Sequence, residues 1–292
     1  MLLAAIEREA GQPRRALDLW RQARDMLLND RATLAQLRAE DFDGYLELLF
    51  ELAGADAAGS GALLDEAFVV SQLGQSPAAG RAVTQTAARL AEKDPAVRET
   101  ARALQDALKA RQDAQYELGL EQSKPFQARS GAREDALKTR LRAASEEYQR
   151  QEERLLARFP RYGRLVTPTP LNAAGVAKLL RRNEALLRVL PGQKATWVFL
   201  VRADGTLRAA AANLPAGQLT ARVERLRLGV DGSSGQLPEF DLSLAHELYQ
   251  QLLGPLDPAL AGVGHLIVVP TKTLLSLPPT LLVRRPPADP RD

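Results

Sequence analysis

The chain has 292 residues, a formal net charge of +3, no cysteine, and two histidines, His246 and His265. The absent thiol excludes a cysteine nucleophile, disulfides and thiolate zinc sites, and two histidines without an HExxH spacing leave no zincin centre. Ala (48) and Leu (51) make up about a third of the residues, and 39 basic side chains are nearly matched by 36 acidic ones, so the pI of 9.3 does not argue for nucleic acid.

In chain order, Met1 to Leu28 predicts a helix, a Gly11-Gln12-Pro13 turn and a second helix, with Pro13 in the first turn where its missing N–H is harmless. Gly11, Ala16, Trp20 and Ala23 fall at the spacing of the second half of a tetratricopeptide (TPR) repeat, so the chain is expected to start inside a repeat. Shorter helical patterns follow at 31–38, 43–53, 61–74 and 77–93. Two long ones cover 95–121 and 132–158. Val97, Ala101, Leu104 and Leu108 on the first, and Leu137, Leu141, Ala144, Tyr148 and Leu155 on the second, form narrow coiled-coil seams. The breaks at Ser123-Lys124-Pro125 and Ser130-Gly131 make the pair an antiparallel hairpin. A proline-bearing stretch, 159–170, reads as a linker. Beyond it we expect a helix over 172–190, a hairpin of Thr196–Val201 and Thr206–Ala211 turning at Asp204-Gly205, helices at 215–228 and 241–253, and a strand Leu266–Val269 ending at Pro270. No apolar run reaches the ~18 residues of a membrane span and no secretory signal opens the chain, so a cytoplasmic location is expected.

Several segments in order resemble the CHAT family, caspase-related peptidase domains found behind TPR repeats. They are Phe159-Pro160-Arg161-Tyr162 through Pro170-Leu171, Asn183-Glu184-Ala185-Leu186-Leu187 (similar to the family's "pEALL" helix), Trp197–Val201 with Asp204-Gly205, Leu248-Tyr249 through Leu256, and Leu266–Pro270 with Leu274–Pro278. Ala67-Phe68 and Ala88-Arg89-Leu90 resemble what precedes the domain in bacterial relatives. Thr271-Lys272 departs from the family's Asp-Gly. The resemblance places the catalytic His and Cys on later strands, past the end of this sequence, so no residue here inherits either role. It implies a truncated domain whose full-length relatives are cysteine peptidases. Leu266–Val269, apolar on both faces, is then expected to expose apolar surface where its flanking sheet is missing.

The fold class expected is mostly α, with TPR-like helical repeats and a long hairpin (1–158, the hairpin over 95–158), followed after the linker by an incomplete α/β caspase-like domain (171–285) and a tail (286–292). No catalytic, cofactor-binding or metal-binding residue is assigned. His265 and His246 read as structural or solvent-facing. Gly229-Val230-Asp231-Gly232-Ser233-Ser234-Gly235 lacks the Gly-Lys-Ser/Thr ending of a phosphate loop and reads as a plain loop. Glu146, Glu147, Glu152 and Glu153 read as solvated helix pairs, and Arg222, Arg225 and Arg227, with Glu224 among them, as no nucleic-acid site. Trp20 reads as packed inside its repeat. The partner expected is a protein or peptide bound by the helical region, with no nucleic acid and no membrane. The alternative is a non-enzymatic TPR-type scaffold.

Overall fold

The computed structural model describes residues 1–29, 34, 37–55, 59–74, 95–158, 170–230, 239–270 and 272–286. Most of the 31–38 pattern, the 77–93 pattern with Ala88-Arg89-Leu90, the linker 159–169, Asp231–Gly235, Thr271 and the tail after Pro286 lie outside the described residues. The chain is mostly α with a small mixed sheet, and its contacts divide it into two units: Met1–Gln75 together with Pro170–Asp292, and Ser76–Thr169. This division differs from a break at 158, because the first helices pack on the sheet instead of standing with the hairpin.

In the first unit, α1 (Leu2–Glu9) and α2 (Pro13–Asn29) are joined by a turn in which Gly11 has φ +74°, and Pro13 opens α2 as expected. A single 3-10 turn (Ala39–Phe42) leads into α3 (Asp43–Ala55), and α4 (Ser60–Val70) follows. Ala4, Ala16 and Trp20 are buried, and the Trp20 ring stacks on Tyr45 at 5.2 Å and 9°. The small residues thus let the helices approach while one indole fills the gap between them.

The expected helix over 172–190 is a correction. A single turn, α7 (Ala173–Ala177), is capped by the Asn172 side chain, and Glu184–Pro191 is strand β1. Leucines at 186, 187 and 190 favour helix in isolation, but every residue from Arg188 to Pro191 is buried, and both sides of the strand are bonded. β1 pairs antiparallel with β2 (Thr196–Arg202) and parallel with β4 (His265–Val269); β3 (Leu207–Ala212) pairs antiparallel with β2, so the order is β3-β2-β1-β4. Gly205 turns the hairpin at φ +84°.

Alternation along these strands feeds two cores. Leu190, Trp197, Phe199 and Val201 face α1–α4 and α7, with Phe199 edge-on to Phe50 and tilted against Phe68. Ala185, Leu187, Val189, Val198 and Leu200 face α8 (Ala216–Leu228) and α9 (Leu242–Leu252). Each core removes a dozen or more apolar side chains from water, the dominant stabilising term here. A Cβ at Gly192 would meet the Trp197 ring at 2.1 Å, so the indole occupies the space a side chain would need.

In the second unit, α5 (Pro95–Ser123) and α6 (Gly131–Arg158) form the expected antiparallel hairpin. Leu137, Tyr148 and Leu155 lie buried on α6 as the seam predicts. On α5 the buried run is Ala107, Arg111, Ala114, Leu118 and Glu121, partly polar, while Ala101, Leu104 and Leu108 of the expected seam are half-buried. Arg111 lies over the Tyr148 ring at 5.9 Å, and Glu121 accepts from Ser130 N (3.0 Å) and Lys124 Nζ (2.6 Å) at the turn.

Candidate functional site

The parallel β1/β4 pair brings chemistry-bearing residues from distant positions to one sheet end. Register places Glu184 beside His265, with Nδ1 of His265 3.9 Å from Oε1 of Glu184. The Arg181 backbone N donates to Oε2 of Glu184 (2.9 Å), and the Asn183 carbonyl accepts from Gly264 N and His265 N. Arg182, Asn183, Glu184, Arg202, Asp204 and Gly262 line a cleft of about 400 Å³ beside them. Arg202 is fastened by Nη1 to the Ala259 and Ala261 carbonyls, which leaves it as a brace between β2 and the loop before β4. The cleft lies at the amino-terminal end of the parallel strands, whereas α/β sheets bind ligands beyond the carboxyl ends. Among the described residues its lining carries no Ser, Thr or Cys.

Polar clusters elsewhere in the same unit join packed elements, and three of them are centred on Glu66, Asp257 and Arg188. Glu66 on α4 accepts from Tyr45 Oη (2.5 Å), Arg21 Nη2 (2.7 Å) and Arg24 Nη1 (2.8 Å). Burial pushes the Glu66 carboxyl up, but the hydrogen bonds of Arg21 and Tyr45 and the two guanidinium charges outweigh it and hold the group below the usual carboxylate range. Burial first, and then the Glu66 carboxylate, push the Tyr45 phenol well above its ordinary value. Asp257 accepts from Tyr249 Oη and from Arg284 Nη2 (2.8 Å), and burial together with that carboxylate pushes Tyr249 up to about 12. In the third, Arg188 in β1 reaches Ser71 at the end of α4.

Among the described residues, the histidines, arginines and glutamates singled out by sequence are not gathered into one site. His246 Nδ1 bonds the Val283 carbonyl (2.9 Å) and holds the C-terminal segment on α9, while His265 is largely exposed. Arg222 donates to Gln251 (2.9 Å) and Arg225 pairs with Asp241 (2.6 Å), so two of the three arginines of α8 brace neighbouring elements. Glu147 pairs with Arg150 at 2.9 Å, and Glu146 with the same arginine at 4.0 Å, as helix-surface pairs. Trp20 is buried. Among the described residues no group of three or more His, Asp or Glu is arranged to hold a metal ion, and no helix is long and apolar enough to cross a membrane.

Glu66 with Tyr45, and Arg188 with Ser71, were not visible in the sequence. The one available signal was an arginine inside the apolar run Ala185–Leu190.

No family model, no curated protein and no solved structure matches this chain.

Proposed function

We propose that residues 171–285 are related to the first half of a CHAT-type, caspase-like domain, that the helical segments engage a protein or peptide partner, and that this cysteine-free chain has no peptidase activity of its own. A cytoplasmic location, with neither nucleic acid nor membrane as partner, belongs to the same reading. The observation that carries it is β4. Leu266–Val269 is apolar at every position, as in strands flanked on both sides, yet β4 stands at the sheet edge with Ile267 37% exposed. Its parallel pairing with β1 suits further parallel strands beyond it, where the resemblance puts the catalytic His and Cys.

The test is co-expression with the C-terminal strands of a CHAT-family peptidase. The expected result is a co-purifying complex that cleaves peptides with a basic or acidic P1 residue, while the chain alone gives none. Cleavage by the chain alone overturns the inactivity, and failure to co-purify overturns the half-sheet reading.

A scaffold without enzymatic relatives is the second reading. It draws support from the three polar clusters, whose ion pairs and hydrogen bonds all serve to join elements. The burial of Ala16 and the stack of Trp20 on Tyr45 suit either reading.

A further inference from the structure

The first unit is discontinuous in sequence, interrupted by residues 76–169. The interruption starts just past α4 and ends just before α7, and one side chain spans the two roots. Gln72 donates from Nε2 to the Leu171 carbonyl (2.7 Å) and accepts at Oε1 from the Leu171 N–H (3.0 Å), across 99 positions. This is the pair of bonds a neighbouring strand would make, supplied by an amide side chain. The returning chain is then fixed by Asp65, which accepts from Ala173 N (2.7 Å), and by Asn172, which caps α7. On the other side of Gln72, Ser71 is held from the central strand by Arg188. Gly74, at φ +62°, closes the departing turn so tightly that a Cβ would lie 2.4 Å from the Arg38 carbonyl carbon.

We propose that residues 76–169 are a self-contained module set into a single folding unit, and that Ser71, Gln72, Leu171 and Arg188 form a latch that pins the module's two roots together and ties them to β1. With its roots pinned, the host does not depend on the module's internal order, because among the described residues the first core is built from residues on either side of it and the second entirely from residues after it. The inference holds under either functional reading.

Both tryptophans, Trp20 and Trp197, lie in the first unit, so their fluorescence reports that unit alone, while far-UV circular dichroism also follows the hairpin helices. In thermal unfolding of the full chain the two signals are expected to change at different temperatures. Replacing 76–169 with about six Gly and Ser residues is expected to keep the cooperative fluorescence transition, and Gln72→Ala in the full chain to speed amide exchange at Leu171–Ala173 by about tenfold. Coincident transitions, or a linker variant with no cooperative transition, overturn the module. Unchanged exchange in Gln72→Ala overturns the latch.

Discussion

Arg188 and Ser71, 117 positions apart, meet in the interior: Nε donates to the Ser71 hydroxyl at 2.9 Å and Nη2 to the Ser71 carbonyl. Arg188 is 5% exposed, and among the described residues no carboxylate pairs with it; burial pulls its guanidinium down to about 10, which still leaves it charged at neutral pH. What offsets the desolvation is the end of α4, where the Ser71 hydroxyl and carbonyl accept from the guanidinium and the helix dipole favours a cation. Arg188→Met fills most of the volume but removes both hydrogen bonds to Ser71, and is expected to lower stability by ~1–3 kcal/mol, with Arg188→Ala costing more. Urea unfolding followed by tryptophan fluorescence checks the order; a methionine variant as stable as the parent would show that the charge does nothing.

Trp20 bridges α2 and α3 through its stack on Tyr45, and truncating it leaves a void in the first core. Trp20→Ala is expected to destabilise the first unit by ~3–5 kcal/mol. Trp20→Phe keeps a ring in the stack and should lose less, which denaturant midpoints read directly.

At Gly192 the constraint is steric, with Trp197 filling the Cβ position. Gly192→Ala is expected to cost on the order of 1–3 kcal/mol through displacement of the indole. The tryptophan near-UV dichroism should change with it, since Trp197 must move.

Acid and alkali should act on different clusters. The folded-state Glu66 carboxyl lies below its ordinary value, so its contribution is present above the usual carboxylate range and is lost as pH falls through the lowered one. Tyr249 is raised to about 12, so the folded state keeps a proton the unfolded chain gives up near pH 10; that contribution is intact below ~10 and disappears as pH climbs through 12. Glu66→Gln is expected to flatten the acid limb of stability against pH and Tyr249→Phe the alkaline limb, in urea midpoints measured across pH. An unaltered limb in either variant would remove its residue from the account.

Ile267 sits on the open edge of the sheet. Ile267→Lys should leave stability within ~0.5 kcal/mol and reduce concentration-dependent self-association in size-exclusion light scattering, because a charged edge resists further strand pairing. Unchanged association would mean that the edge is not the sticky surface.

Most element types were legible, for local reasons. Pro13 after Gly11, the Asp204-Gly205 turn and the apolar steps along 137–155 are signals that tertiary packing had no cause to override. β1 was not, because leucine serves helix and strand alike, and the decision came from β2 and β4 bonding both of its edges. On α5, Arg111 and Glu121 hid the seam by placing charges where a periodic reading looks for apolar residues. The clusters around Glu66 and Arg188 depend on partners tens of positions away, which no local pattern carries.

The discontinuity of the first unit bears on synthesis. Phe68 emerges from the ribosome long before Phe199, the ring it packs against. With on the order of a hundred residues between them, made at ~5–20 per second, the apolar face of α1–α4 waits for roughly ten seconds before β2 can cover it. During that interval the nascent helices are a ready target for a holdase chaperone, and the hairpin of α5 and α6 can finish folding first.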